Sequence, residues 1–367
     1  MQCPQSRPGI VGENERESSL APPTTHPRIH HLEATKVQAN AVVFTAPNTV
    51  EYAPVTTPDP GPKNLVVRIT HSWISNGTEG SFLRGERIEG DTAYREGDSW
   101  PFPIVAGYQK IGRAEWVGEE IDDIEVGETV FCTMGAVEGM YKERGGQISP
   151  SVNGRDGVWK LPPDVDPLAC AGLVLTQVGY NAGIRPDVNI GDGAVVFGDG
   201  MVGHWSAQTL AWRGAEVLLV GRHNDRLKHF DRPPYAHIIN EHEEDWREKA
   251  KTLFPQGAKI AVDTVGSITT LEAVQTLMCR YGHLVSAGFY GTQDALPLQP
   301  PRYGEHAIHL VSGWSPERMD QTLHLITAGY LQTLPLITHR FPVAEAAKAW
   351  ALIESKSEPV LGVILEW

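Results

Sequence analysis

A glycine-rich turn carries the clearest chemical signature in the sequence. Gly198, Gly200 and Gly203 form G-x-G-x-x-G in GDGMVG, after the apolar run AVVF and before a predicted helix that begins at Met201 and Val202. In such a turn the first glycine permits a tight bend, the second lets a pyrophosphate approach the backbone, and the third allows close helix–strand packing. The pattern therefore predicts a dinucleotide site with the pyrophosphate at the helix N-terminus.

The end of the next predicted strand indicates which dinucleotide binds. Enzymes that use NAD place a carboxylate there for the ribose hydroxyls, but this strand ends in Val220, Gly221, Arg222 and His223. A glycine leaves room for a 2′-phosphate, and Arg222, helped by His223 or Arg226, could pair with that phosphate. We expect NADP rather than NAD. The alternative is that Arg222 is a solvated surface residue and that NAD binds without the usual carboxylate.

A tyrosine and a lysine in PIVAGYQKIGRAEWVG could exchange a proton with a substrate. The stretch alternates apolar and polar residues as a strand does, so Tyr108 and Lys110 would share one face. A phenol has an ordinary pKa of about 10 and acts as an acid or base near neutrality only if a cation lowers that pKa. Lys110 could be that cation. The alternative is that Tyr108 only shapes a pocket, with Lys110 at its rim.

Two kinds of structure must position these residues. Short alternating runs separated by turns continue to about Pro163 and predict a β-rich region, whereas strand and helix patterns alternate beyond Asp166. That alternation predicts a parallel sheet with crossover helices, and hence an α/β protein. Residues 1–34 are rich in Pro, Ser, Thr, Glu and Arg and are predicted to be a disordered tail.

Composition argues against several kinds of partner. The chain has 31 basic and 45 acidic side chains, a formal net charge of −14, and no dense cluster of Lys or Arg, so we expect no nucleic acid. No apolar run approaches the roughly 20 residues of a membrane span. Cys3, Cys132, Cys170 and Cys279 are scattered without a C-x-x-C pair, which indicates thiols in a reducing compartment. We expect a soluble, cytoplasmic protein.

Several stretches resemble the medium-chain dehydrogenase/reductase family over residues 37–367. ISNGTEGSFLRG is similar to the family's I-C-G-T-D segment, VAGYQKIGRAEWVG to its G-H-E segment, and LPLITHRFPVAEAAKAW to its C-terminal return. The resemblance implies a GroES-like catalytic domain at 35–165, completed by 310–367, and a Rossmann domain with a doubly wound parallel sheet at 166–309. It also implies a homodimer and a small-molecule substrate.

The family's cofactor contacts also map onto this sequence. The corresponding positions are Thr176, Val265, Ala287, Gly288, Phe289, Val311 and Ser312.

The family's zinc enzymes hold a catalytic metal with three side chains, whose places here read Asn76, Tyr108 and about Gly172. Because Zn²⁺ prefers thiolate, imidazole or carboxylate ligands, we expect no zinc and no metal site. The hydroxyl that passes on the substrate proton in the zinc enzymes is kept as Thr78. Asn76 could donate a hydrogen bond to a substrate oxygen or cap the turn. The pattern is similar to a zinc-free branch that includes dehydrogenases of the bacteriochlorophyllide hydroxyethyl side chain.

These features predict a zinc-independent oxidoreductase that uses NADP, or NAD, to interconvert a secondary alcohol and a ketone. The polar segment GERIEGDTAYREGDSWPF is interpreted as a loop bordering the cleft or, alternatively, as a solvated insertion. Its carboxylates and Arg95 favour a sugar- or polyol-like substrate. Two alternatives stay open. One is NADPH-dependent reduction of quinones or enones, which needs no alkoxide base, and the other is a nucleotide-binding sensor without catalysis.

Overall fold

The computed structural model describes residues 37–230, 235–291 and 295–367. The predicted tail at 1–34, with Cys3, lies outside the described residues. Within the described ranges, no helix is long and apolar enough to cross a membrane.

The first part of the described chain consists of short strands, as its alternating pattern predicts. Along β7, for example, the buried Gly112 and Ala114 alternate with the exposed Arg113 and Glu115, whereas β1 has four consecutive buried residues from Ala41 to Phe44. The elements are β1 (Gln38–Ala46), β2 (Thr49–Thr56), β3 (Asn64–Ile74), α1 (Asn76–Leu83), β4 (Arg87–Glu89), β5 (Thr92–Ala93), β6 (Ile104–Val105), β7 (Lys110–Val117), β8 (Thr129–Cys132), β9 (Gly135–Ala136), β10 (Arg144–Gly145), β11 (Ile148–Ser149), β12 (Ser151–Gly154) and β13 (Val158–Lys160).

Two sheets organise this part. β1 pairs with β2, β6 and β11 in one sheet. β3 is a central strand of the other, where it pairs with β7 and β12. The last three residues of β3, Trp73 among them, are buried, and the strand ends at Ile74, directly before Ser75 and α1. The end of β3 therefore positions the hydroxyl-bearing segment 75–78.

The second part alternates helices with strands. Its elements are α2 (Pro167–Cys170), α3 (Leu173–Ile184), β14 (Gly193–Phe197), α4 (Met201–Trp212), β15 (Glu216–Gly221), α5 (Asn224–Leu227), β16 (Ala236–Asn240), α6 (Trp246–Leu253), β17 (Ala258–Asp263), α7 (Ile268–Gln275), β18 (Met278–Ser286), α8 (Gln299–Tyr303) and β19 (Ala307–Leu310).

The strands of this second part form a parallel sheet in the order β16-β15-β14-β17-β18-β19. Every residue of β14 is buried, as expected for a strand covered by helices on both faces. The strand order reverses between β14 and β17, and doubly wound folds bind ligands at the carboxyl ends of the strands beside such a reversal. The predicted α/β class, with a β-rich part and a doubly wound parallel sheet, is confirmed.

The C-terminal segment returns to the first part. It contains α9 (Pro316–Thr327), β20 (Ile337–Pro342), α10 (Ala346–Ser355) and β21 (Gly362–Glu366). β21 pairs with β3, and β20 pairs with β21, so both strands extend the sheet that contains β3. Short 3₁₀ turns lie at Arg155–Gly157, Leu334–Leu336 and Val343–Glu345. The domain boundaries stay predictions.

A hydrophobic core joins the two parts. Trp73 of β3 meets Trp205 of α4 edge to face, with ring centres 5.9 Å apart, and its Nε1 donates to the Met201 sulfur at 3.1 Å. Leu173 and Met319 belong to the same core. Because Met201 is the first residue of α4, these contacts fix the glycine turn relative to the end of β3.

Two local details differ from the sequence-based expectation. The segment GERIEGDTAYREGDSWPF, predicted to be a loop, contains the hairpin β4–β5, in which Arg87 pairs with Ala93. Tyr108 lies before β7, which begins at Lys110, and is therefore outside the strand in which it was placed.

Candidate active site

A cleft of about 850 Å³ lies at the carboxyl ends of the parallel strands. One wall comes from α1, β4 and Tyr108, and the other from the glycine turn and the segments that follow β15, β17 and β18. Most of the predicted site residues line it: Asn76, Thr78, Tyr108, Gly198, Gly200, Met201, Val202, Gly203, Gly221, Arg222, His223, Arg226, Val265, Ala287 and Phe289. The cleft lining does not include Lys110, Thr176, Gly288, Val311 or Ser312.

The glycine turn has the geometry that phosphate binding requires. Gly198 adopts a φ of +112°, a region that side chains disfavour. Gly200 precedes α4 without a side-chain cap, and a Cβ built on it would meet open space. A Cβ on Gly203 would lie 1.9 Å from the Gly198 carbonyl oxygen, so only glycine allows this approach. The first N–H groups of α4 are thus available to a pyrophosphate.

A buried aspartate between the first two glycines holds the segment after β15. The Asp199 carboxylate accepts hydrogen bonds from the backbone N–H groups of Arg222 and His223, both at 2.8 Å, and Nδ1 of His223 also lies 2.8 Å away. Arg226 donates from Nη1 at 3.3 Å. Burial raises the pKa of Asp199, but these hydrogen bonds and positive charges outweigh burial and hold the pKa below its ordinary value. An ionised Asp199 therefore ties the glycine turn to residues 221–226.

Packing against Asp199 explains the glycine at position 221. A Cβ on Gly221 would lie 2.5 Å from the Cβ of Asp199, so only glycine accommodates Asp199 here, while Gly221 also lines the cleft and its predicted room for a 2′-phosphate stays a prediction. The guanidinium of Arg222 in turn pairs with Glu241. Sequence reasoning looked for a carboxylate only at the end of β15 and so missed Asp199 and Glu241.

The residues expected near the nicotinamide divide into two groups. Val265, Ala287 and Phe289 line the cleft. Gly288 packs below them, where a Cβ would lie 2.1 Å from the backbone nitrogen of Gly266. Close packing of two backbone segments explains this glycine without a ligand.

Three other expected cofactor contacts are engaged within the protein. Thr176 is fully buried and its hydroxyl donates to the Gly172 carbonyl at 3.0 Å. The backbone N–H of Val311 donates to Ser286, and the hydroxyl of Ser312 donates to Asp91. Their cofactor roles stay predictions.

Tyr108 lies among hydroxyl groups at the other end of the cleft. Its phenol is hydrogen-bonded to the side chains of Ser75 and Thr78, and its ring stacks on Trp314 with centres 6.2 Å apart. Burial raises the pKa of Tyr108, and the two hydrogen bonds offset that effect only in part. The phenol is therefore protonated at neutral pH and suited to donate to a substrate oxygen. Sequence reasoning missed Ser75, although it directly precedes Asn76.

A buried carboxyl supports this hydroxyl cluster. Glu79 is 2% exposed and accepts hydrogen bonds from the Ser75 backbone N–H at 2.8 Å and from Gln147 Nε2 at 2.7 Å. Burial raises the pKa of Glu79 to about 8, against the lowering effect of the Ser75 hydrogen bond. The carboxyl is thus largely neutral at pH 7, and in its ionised form its charge adds to burial in raising the pKa of Tyr108.

The amide of Asn76 is used inside the protein. Its Nδ2 donates to the Leu361 carbonyl at 2.7 Å, while Oδ1 is buried without a partner among the described residues. The contact ties α1 to the segment before β21. One N–H of the Asn76 amide is engaged at Leu361, and donation of the other N–H to a substrate oxygen stays a prediction.

Lys110 does not act on Tyr108. Its side chain is fully buried, and Nζ donates to the Thr133 carbonyl at 2.7 Å and the Gly145 carbonyl at 3.5 Å. Burial lowers the pKa of Lys110 to about 8. The predicted shared face is wrong because Tyr108 precedes β7, so Lys110 loses its proposed catalytic role.

A cation that does act on Tyr108 is Arg87, which sequence reasoning missed. Arg87 begins β4, is 4% exposed and lines the cleft. Its guanidinium carbon lies 3.6 Å from the centre of the Phe289 ring. The positive charge of Arg87 lowers the pKa of Tyr108, although less than burial raises it. No local pattern separates Arg87 from the other charged residues of its polar segment.

The residues at the family's zinc-ligand positions do not fit a zinc ion. Asn76 and Tyr108 offer an amide and a phenol, and Gly172 offers no side chain. Across residues 37–230, 235–291 and 295–367, no group of three or more His, Cys, Asp and Glu side chains is arranged to hold a metal. Zn²⁺ favours the side chains that are lacking at these positions.

Comparison with known proteins gives the class of the molecule. The profile of a family described as zinc-binding dehydrogenase matches residues 202–328, a range without the three zinc-ligand positions. The 2-desacetyl-2-hydroxyethyl bacteriochlorophyllide A dehydrogenase of Rhodobacter capsulatus is 25% identical over 336 residues, which cover 90% of this chain and 99% of that protein. A sorbitol dehydrogenase of Halalkalibacterium halodurans is 23% identical over 278 residues, covering 69% and 81%.

A solved structure supports the fold. An oxidoreductase of unknown specificity from Escherichia coli superposes with a TM-score of 0.79 at 19% identity, covering 90% of this chain and 99% of that one. In sequence and fold the chain is similar to dehydrogenases of the medium-chain dehydrogenase/reductase family. It is an oxidoreductase of the alcohol or polyol dehydrogenase type, which confirms the predicted resemblance and enzyme class and sets the non-catalytic sensor aside.

Proposed function

We propose that the protein is a zinc-independent oxidoreductase that uses a nicotinamide cofactor to interconvert a secondary alcohol and a ketone. One observation carries the proposal: a single cleft contains both the uncapped N-terminus of α4 at Gly200 and the protonated phenol of Tyr108. The donor set at positions 76, 108 and 172, which does not suit zinc, supports independence from the metal.

The nicotinamide, when bound, would accept a hydride from the carbinol carbon or donate one to the carbonyl carbon. The chain must bind the cofactor, orient the substrate and handle the proton. The backbone at Gly200 and the first turn of α4 would hold the pyrophosphate. During ketone reduction, Tyr108 would donate its proton towards the carbonyl oxygen, where negative charge develops. The hydroxyls of Ser75 and Thr78 would orient the phenol and return a proton to it. A phenol held protonated suits the reductive direction.

The side chains at the Tyr108 end of the cleft favour a polar substrate. Ser75, Thr78 and Tyr108 offer hydroxyl groups, and the cationic Arg87 lies in the same wall. Because buried polar groups need partners, this surface favours a ligand with several oxygen atoms over an apolar one. The likeness to sorbitol dehydrogenases supports a sugar- or polyol-like compound.

For the cofactor we propose NADP first and NAD second. Arg222 and Arg226 place positive charge, with His223 between them, at the end of the cleft where we expect the adenosine. Arg222 must leave Glu241 to reach a 2′-phosphate, and this exchange costs little because the pair is 59% and 25% exposed. The carboxylates of Asp199 and Glu241 favour NAD by offsetting that charge.

We also propose a cytoplasmic homodimer. β19 is an outer strand of the parallel sheet, and its Ile308 and Leu310 are 38% and 78% exposed, so a second copy could pair with this edge. The free thiols of Cys132, Cys170 and Cys279 suit a reducing compartment. A monomeric mass in analytical ultracentrifugation would contradict the dimer.

The test of the function compares Tyr108→Phe with Tyr94→Phe. Tyr94 packs against Trp100 and does not line the cleft, so its variant controls for the loss of a phenol elsewhere. Loss of a positioned proton donor costs about 10²- to 10⁴-fold in turnover, so we expect Tyr108→Phe to reduce ketones that much more slowly with unchanged cofactor binding. Tyr94→Phe should match the wild type.

The assay follows nicotinamide absorbance with sugars, polyols, ketones, quinones and enones. Unchanged ketone turnover in Tyr108→Phe would remove the proton-donor role. Reduction of quinones or enones by the wild type without alcohol or ketone activity would contradict the proposed reaction and favour the reductase alternative.

A further inference from the structure

Arg87 is a buried guanidinium with incomplete hydrogen bonding. Its Nη1 donates to the Gly90 carbonyl at 3.1 Å and to Asp91 at 2.8 Å, while Nε is buried without a partner. Nη2 also makes no hydrogen bond within the described residues. Burial lowers the pKa of Arg87, which reflects the free-energy cost of removing this charge from water. A buried cation with unused donors calls for an acceptor from outside the chain.

The position of Arg87 connects it to the reacting end of the cleft. Its guanidinium lies over the ring of Phe289, on the wall opposite to its own strand. Asp91, the partner of Arg87, also accepts a hydrogen bond from Ser312. The hairpin β4–β5 therefore spans the two walls, and Arg87 borders the space beside Tyr108.

The charge of Arg87 is not cancelled by a buried neighbour. Glu79 is the buried carboxyl behind the hydroxyl cluster, and its raised pKa keeps it largely neutral at pH 7. Asp91 is paired with Arg87, but its side chain is 65% exposed and therefore well screened by water. The carboxylates that interact with the Arg87 charge, Asp91 and Glu86, are both exposed to water. A cation placed in this way attracts a negatively charged group.

We propose that Arg87 binds an anionic group of the substrate, a carboxylate or a phosphate ester, and so selects anionic sugar- or polyol-like compounds over neutral ones. Nη2 makes no hydrogen bond among the described residues and is not one of the buried unpartnered atoms, so it is the donor open to such a group, and a guanidinium forms charge-assisted hydrogen bonds with either anion. The cofactor's own phosphates are expected elsewhere, at the N-terminus of α4 and beside Arg222. This inference rests on the proposed function for the identity of the ligand as a substrate.

The experiment measures binding of three compounds with the same six-carbon chain: sorbitol, gluconate and sorbitol 6-phosphate. Titration calorimetry is performed on the full chain, with and without saturating NADPH. The variants are Arg87→Gln and Arg87→Lys, with Arg84→Gln as the matched control. Arg84 lines the same cleft, but its guanidinium is already paired with Glu86 and Glu354.

We expect the wild type to bind gluconate or sorbitol 6-phosphate about 10- to 100-fold more tightly than sorbitol, the range that a buried charge-assisted hydrogen bond supplies. Arg87→Gln should remove this preference, Arg87→Lys should keep part of it, and Arg84→Gln should leave it unchanged. The anion that binds more tightly distinguishes carboxylate from phosphate. Circular dichroism checks that each variant is folded.

Two results would overturn the inference: no preference for either anion in the wild type, or a preference that survives in folded Arg87→Gln. If Arg87→Gln weakens the binding of all three compounds equally, Arg87 contacts a group that the neutral and anionic compounds share. That result would also overturn the inference. If the chain binds neither NADPH nor NADH, the proposed function fails, while the anion preference is still measured in the cofactor-free titration.

Discussion

Replacing Arg222 and Glu241 one at a time tests whether the segment after β15 selects NADP. Their side chains form a pair that is 59% and 25% exposed, and exposed ion pairs contribute about 0–1 kcal/mol to stability. Neither Arg222→Gln nor Glu241→Gln should therefore lower the melting temperature by more than about 3 °C. If the melting temperature is nearly unchanged, a change in the cofactor dissociation constant reflects lost contacts with the cofactor rather than loss of the fold.

The two substitutions should act in opposite directions on NADP. A 2′-phosphate beside Arg222 would gain charge-assisted hydrogen bonds worth about 1.5–3 kcal/mol, so Arg222→Gln should weaken NADP binding about 10- to 100-fold relative to NAD. Glu241 holds the guanidinium and repels the phosphate. One like charge at about 5 Å in water costs about 0.8 kcal/mol, so Glu241→Gln should raise the preference for NADP about three- to fivefold.

The assay is the ratio of the dissociation constants of NADPH and NADH, measured by nicotinamide fluorescence at low salt. Arg247→Gln is the control, because Arg247 is similarly exposed, pairs with Asp245 and lies outside the cleft lining. If Arg222→Gln weakens both cofactors equally, Arg222 does not contact the 2′-phosphate. A wild type that prefers NADH would refute the NADP proposal and assign the ribose to Asp199, the buried acid beside Gly221.

Two further predictions concern the glycine turn and the buried carboxyl. Gly200 has a φ of −80° and open space where a Cβ would lie, so Gly200→Ala should keep its stability but bind cofactor at least about tenfold more weakly. Gly203→Ala should instead lose about 1–3 kcal/mol of stability, because its Cβ would meet the Gly198 carbonyl oxygen. Thermal melts measure the stability of the two variants, and fluorescence titration measures their cofactor affinity. Equal melting temperatures would contradict the expected difference in stability. The pKa of Glu79 rises from 4.5 to about 8 on folding, so stability should fall as pH rises between these values, by up to about 1.4 kcal/mol per pH unit. Urea unfolding at pH 5 and 8 should show this loss in the wild type and not in Glu79→Gln, and equal losses would show that Glu79 is not the group responsible.

The sequence is sufficient to predict features that local patterns determine. The parallel sheet with crossover helices follows from the alternating strand and helix patterns, whereas the strand order β16-β15-β14-β17-β18-β19 comes from the structure. The turn at Gly198, Gly200 and Gly203 is similarly local, since each glycine is required by a backbone conformation or by a close approach within the turn.

The features that sequence reasoning missed depend on contacts between distant segments. Asp199 contacts Arg222 and His223, more than 20 positions along the chain. Arg87 approaches Phe289 across the cleft, and nothing in its own segment indicates this contact. The error over Lys110 has the same origin: alternation placed Tyr108 on a strand, but β7 begins two residues later.

The neutral state of Glu79 helps to explain how the proposed reaction could proceed without zinc ligands. Without a metal, charge on a substrate oxygen must be stabilised by donors that remain protonated and by a nearby cation. An ionised Glu79 would raise the pKa of Tyr108 further and offset the field of Arg87, whereas a neutral Glu79 still accepts the hydrogen bonds from Ser75 and Gln147. Burial of one carboxyl therefore allows Tyr108, which stands at a family zinc position, to act as the donor while Arg87 of β4 supplies the charge.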